Sequence, residues 1–192
     1  MRIGTASVLL ALFAAVPAQA AVMVIGSTIG HACYAAAERP FGAANGEQTC
    51  TLALNDGAIS LRDRAATYIN RGVIRISMQQ YDGALRDFER AIAEGEHLSA
   101  PDLGVAYVDR AAVLNSLKRY QEARDSASKG IDLGTSRPEI GYYERAIAAE
   151  SLGDFKAAYY DYKQAVAIGP GLTLASEQLK RFRVVPKPAN GS

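Results

Sequence analysis

Apolar and small residues in the middle of the chain recur in one pattern that comes three times, ungapped, over 28 residues: 68–95, 107–134 and 142–169. Each stretch opens on an aromatic, Tyr68, Tyr107 or Tyr142, followed three residues on by Arg71, Arg110 or Arg145 and then by a small residue, Gly72, Ala111 or Ala146. An apolar residue and an aromatic come next: Met78 with Tyr81, Leu117 with Tyr120, Leu152 with Phe155. Alanine recurs at Ala84, Ala123 and Ala158, and a last small residue stands at Ala91, Gly130 and Ala165.

These columns predict pairs of antiparallel helices. Small side chains at the crossing let two axes approach to the usual ~8–10 Å, and the aromatics fill the wedge to the next pair. Turns are expected at Gln79-Gln80, Lys118-Arg119 and Gly153-Asp154. Ser99–Asp102 and Ser136–Glu139 have the spacing of capping boxes, with proline in the first turn. Beyond the third copy, Leu172, Ala175, Leu179 and Phe182 share one helical face, as expected of a helix closing the end of a solenoid. Upstream, 31–38 and 47–55 read as two short helices.

Tyr68, Gly72, Ala84, Phe88 and Ala91, with Tyr142, Ala146, Ala158, Tyr162, Ala165 and Pro170, resemble the tetratricopeptide repeat, a helical hairpin of ~34 residues. The middle copy departs, with Ala127 in place of the aromatic and Gly130 in place of the alanine. The expected fold is therefore all-α: an α-solenoid of three tetratricopeptide-like hairpins (about 65–98, 104–137 and 139–172), a C-terminal capping helix (172–183), and a short disulfide-linked N-terminal helical cap (21–60). The resemblance implies a concave groove that takes an extended peptide or a partner helix; the alternative is that its apolar residues pack against the terminal caps or a second copy of the chain. Its positions carry over to Ile69, Asn70, Val73, Ile76 and Ser77; to Val108, Asp109, Ala112, Asn115 and Ser116; and to Tyr143, Glu144, Ile147, Glu150 and Ser151. No lysine or arginine is among them, so a carboxylate clamp is not expected. Tyr143, the one aromatic in the set, is the expected anchor.

The ends of the chain bear on compartment. Arg2, the apolar run 7–16 and Pro17-Ala18-Gln19-Ala20 read as a secretory signal cut after Ala20, which makes this an exported, bacterial type of repeat protein, periplasmic or secreted. Residues 184–192, with Pro186 and Pro188, read as a disordered tail. Cys33 and Cys50 are the only cysteines, and in an oxidising compartment they are expected to pair. The competing readings are a Cys33 nucleophile with His31, or a metal site of His31, Cys33 and Cys50. Three ligands without a fourth make poor zinc spacing.

Composition narrows function further. Among 192 residues, 21 basic and 20 acidic side chains give a formal charge of +1, and losing Arg2 with the signal makes it zero. No basic excess exists to hold nucleic acid. No HExxH, GxSxG or phosphate loop occurs, so neither an enzyme nor a cofactor is expected. Two readings of function remain open: a non-enzymatic module docking a protein or peptide partner in the groove, and a self-assembling homo-oligomer with a seam at Tyr142, Tyr143, Tyr159 and Tyr160. The arginine column offers either an acidic-ligand ladder or the internal ion pairs Arg71–Asp87 and Arg145–Asp161; the pairs are preferred.

Overall fold

The computed structural model describes residues 2–5, 21–26, 28–39 and 43–185. Two helices, α1 (Thr28–Glu38) and α2 (Ala43–Leu54), precede three hairpins: α3 (Leu61–Ser77) with α4 (Tyr81–Ala93), α5 (Ala100–Ser116) with α6 (Tyr120–Asp132), and α7 (Pro138–Ser151) with α8 (Phe155–Ile168). A short helix, α9 (Thr173–Leu179), closes the array. Each helix packs on the next in the chain, and α3, α5 and α7 also touch in succession, so the hairpins stack as an all-α solenoid. The expected fold class is observed.

The small-residue columns act as read from the sequence. A Cβ added at Gly72 would lie 2.7 Å from the Phe88 ring, so glycine here lets α3 and α4 close on a fully buried aromatic. Ala84, Ala123 and Ala158 are fully buried at the corresponding approaches. All three turns fall where expected, and each uses one left-handed residue at the same repeat position: Gln79 (φ 58°), Lys118 (φ 61°) and Gly153 (φ 82°). Only the third is a glycine.

The ion-pair reading holds. Arg71 donates to both oxygens of Asp87 at 2.9 and 2.8 Å, with Arg75 adding a second cation at 2.8 Å. Arg145 grips Asp161 twice at 2.8 Å. The middle copy has Ser126 in the aspartate column; its hydroxyl donates to the Tyr107 carbonyl, and Arg110 reaches back to Glu89 at 3.7 Å. Cys33 and Cys50 form a disulfide that ties α1 to α2, both sulfurs fully buried. The expected N-terminal cap is present.

Three expectations are corrected: the cap of α7, the extent of the closing helix and the start of the tail. Ser136 does not cap α7: Arg137 is the capping residue, without a side-chain bond. Ser60, overlooked in the sequence, caps α3 by accepting from the Asp63 amide at 3.0 Å, as Ser99 does for α5. The closing helix is shorter than 172–183. After Leu179 the chain turns into a strand, β2 (Phe182–Val185), whose backbone pairs antiparallel with β1 (Arg2–Thr5). The run Arg181-Phe182-Arg183-Val184-Val185 alternates and ends in two β-branched residues, which favours extended chain over helix. Phe182 still reaches the core, its ring 6.0 Å from Tyr159 and 5.9 Å from Tyr162. The expected tail of 184–192 loses its first two residues, since Val184 and Val185 belong to β2; 186–192, like most of the proposed signal (residues 6–20), lie outside the described residues.

Candidate interaction groove

The groove set, placed on the structure, divides into three parts. At the first hairpin, Ile69, Val73 and Ile76 are buried in one cluster with Val22 and Val24, two residues of an extended segment lying N-terminal to α1. Asn70, fully buried, holds that segment by its backbone: its Oδ1 accepts from the Val22 amide at 2.7 Å and its Nδ2 donates to the Val22 carbonyl at 2.8 Å. Asp63 Oδ1 accepts from the Ile25 amide at 2.9 Å, and Arg62 donates to the Met23 carbonyl at 3.0 Å. A primary amide offers a donor and an acceptor side by side, so one asparagine satisfies both main-chain groups of one residue.

At the second and third hairpins the same column turns acidic. Asp109 and Glu144 stand where Asn70 stands in the first copy, and both are buried. Asn115 Nδ2 donates to Glu144 Oε2 at 2.8 Å and to its carbonyl at 2.9 Å, while Arg137 donates to Asp109 Oδ1 at 3.2 Å. Asp109 Oδ2, Asn115 Oδ1 and Arg137 Nε have no partner among the described residues. Desolvation pushes the Glu144 carboxyl up to about 7, reinforced by the Asp109 charge and opposed by the Asn115 bond and Arg137. Burial likewise raises Asp109 to about 6, opposed by Arg137. Two buried carboxyls thus share one nearby cation, so proton uptake on folding relieves the site.

The remaining positions are structural or peripheral. Val108 is buried inside the second hairpin, between α5 and α6, where its methyl would meet a Cβ on Gly130 at 2.7 Å. Tyr143 is buried, 5.9 Å from the Tyr162 ring and in the cluster that holds Phe182, and burial raises its hydroxyl pKa. It is a core side chain in this arrangement, so the expected surface anchor is not offered to solvent. Glu150, half-buried, accepts from the Tyr162 hydroxyl at 3.0 Å and from Arg181 at 2.7 Å. Ile147 is half-buried too. Of the four tyrosines read as a possible seam, only Tyr160 is exposed.

Sequence reasoning missed the segment 21–26. Asn70 was singled out, but nothing in Ala21–Gly26 marks it as the chain that asparagine would hold. The one available signal was the alternation of Val22 and Val24, which are buried, with Met23 and Ile25, which are exposed.

Among known proteins, the chain is similar to the heat shock protein STI1 of Saccharomyces cerevisiae, 30% identical over 115 residues, which is 60% of this chain and 19% of that protein. The chain thus spans about a fifth of the length of the relative it matches. No family model matches it, and no solved structure matches it. Among the described residues, no helix is long and apolar enough to cross a membrane, and no group of three or more His, Cys, Asp or Glu side chains is placed to hold a metal ion.

Proposed function

We propose that this chain is a tetratricopeptide-type protein-interaction module of the exported class, without catalytic activity, whose concave face docks an extended segment of a partner protein. The observation that carries the reading is the Asn70 carboxamide, which binds both backbone groups of one residue of an extended chain on the floor of Ile69, Val73 and Ile76. A surface that satisfies main-chain groups through side chains recognises a conformation, with pockets for alternate side chains supplying specificity. The distant similarity to a heat shock protein supports a role in binding other proteins.

Export is supported by the signal-like sequence ending at Ala20 and by the Cys33–Cys50 bond, a linkage that persists in oxidising compartments. Cleavage there removes β1, the strand that pairs with β2.

The test is direct. A partner recovered by cross-linking from the host envelope is titrated against the wild-type, Asn70→Ala and Ile147→Asp chains, with circular dichroism as a folding control. Loss of tenfold or more in affinity for either variant is expected. Equal affinity for all three chains overturns the groove as the contact surface.

A further inference from the structure

We propose that residues 21–26 are the groove's own ligand, a tethered strap that a partner displaces by presenting an extended segment with β-branched apolar side chains at alternate positions. This rests on the reading of the concave face as a docking surface.

The segment has no secondary structure of its own. Its backbone is held by side chains: Asn70 takes both groups of Val22, Arg62 the carbonyl of Met23, and Asp63 the amide of Ile25. All three holders lie on α3, and their spacing fits an extended ligand. Asp63 to Asn70 is seven residues of helix, ~10.5 Å at ~1.5 Å per residue, while Val22 to Ile25 is three residues of extended chain, ~10 Å at ~3.3 Å each. The two rises coincide, so an extended chain laid along α3 meets a polar holder at each end.

The side chains follow the same logic. Val22 and Val24 are 4% and 3% exposed, whereas Met23 and Ile25 are 54% and 64% exposed. Two small pockets one residue apart, with the intervening side chain pointing away, select a Val-x-Val kind of sequence. The first position must keep its N–H, which excludes proline there.

The tether makes the occupant competitive. Gly26, two residues before α1, adopts φ +105°, a conformation open to glycine, and the disulfide fixes α1 to α2. A segment linked this closely acts at an effective concentration on the order of millimolar. A free segment of equal intrinsic affinity therefore binds the resting chain weakly and an unlatched chain well.

The probe is a fluorescein-labelled, end-capped hexapeptide with the sequence of residues 21–26, titrated into the full chain with its cysteines paired. The expected result is binding at least tenfold tighter to Val24→Asp than to wild type, and a loss of at least tenfold when Asn70→Ala is added to Val24→Asp. Hydrogen exchange at the Val22 and Ile25 amides is read in parallel, with at least tenfold protection in wild type relative to Val24→Asp. A folded Val24→Asp chain whose two amides exchange no faster than in wild type overturns the strap alone. Fast exchange in Val24→Asp with no peptide binding overturns the docking reading as well. Should Val24→Asp fail to fold, exchange in the Asn70→Ala chain decides: unchanged protection of Val22 refutes the strap, and a tenfold loss supports it.

Discussion

Glu144 and Asp87 are both buried acids, but their neighbours differ. Asp87 has two arginines within 2.9 Å, so removing it strands Arg71 and Arg75 in a pocket built for a carboxylate. Breaking a buried pair from one side costs several kcal/mol. Asp87→Ala is expected to lower unfolding free energy by ~3 kcal/mol in urea titration, and Asp161→Ala by less, because Arg145 is more exposed and can rehydrate. Glu144 has an amide for a neighbour and its nearest charges are mixed. Its folded pKa is raised from 4.5 to about 7, so between those values the folded chain holds a proton that the unfolded chain has lost. Stability therefore falls as pH rises from about 4.5 to 7 and stays low above, with Asp109 adding to the slope up to about 6. Glu144→Gln, whose amide has an unpartnered Asn115 oxygen available to it, is expected to flatten that slope and to stabilise the chain by ~1–2 kcal/mol at pH 8. Melts of both chains at pH 5 and pH 8 check it; an unchanged difference between the two pH values counts against the site. The ion pairs were legible in the sequence because aspartate and arginine recur at fixed columns. The acidic cluster was named residue by residue, but its burial was not, since that depends on how closely α5 and α7 approach.

The hairpin is the element that repeats, and its crossing is tight enough to constrain composition. Gly72→Ala is expected to cost ~1–3 kcal/mol, since the new methyl meets the Phe88 ring at 2.7 Å, and Phe88→Leu in the same chain should recover part of the loss. A thermal melt of the single variant that matches wild type would sink the packing account. The turns allow a gain in the opposite sense. Lys118 is exposed and sits at φ 61° where the third hairpin places Gly153, so Lys118→Gly removes a left-handed side-chain penalty and should raise stability by ~1 kcal/mol. Local rules of this kind explain why helix pairs, turns and the disulfide could be read from residue columns. Tyr143 shows where such reading stops: its column suggests the groove, but its ring lies 5.9 Å from Tyr162 inside the third hairpin, in a cluster that Ala175 of α9 and Phe182 of β2, outside the repeat pattern, help to close.

At the scale of the molecule, the contact between Val22 and Asn70 joins residues 48 apart and ties the segment that precedes α1 to the middle of α3. The alternation of Val22 and Val24 hints at an extended, half-buried segment, but no local pattern says that Asn70 holds it. Its anchor point is the stapled pair α1–α2, which packs on α3. Reduction of Cys33–Cys50 is expected to remove ~3 kcal/mol of stability, less any relief of strain, and to show as a lower melting temperature in the presence of dithiothreitol. The staple also has a consequence for anyone preparing this protein. Material expressed where thiols stay reduced, and material expressed where they are oxidised, would share one mass to within two hydrogens yet differ in how firmly residues 21–26 are leashed. Batches from the two sources would then give discordant binding curves, and a thiol titration before each assay is the cheapest way to know which protein is in the tube.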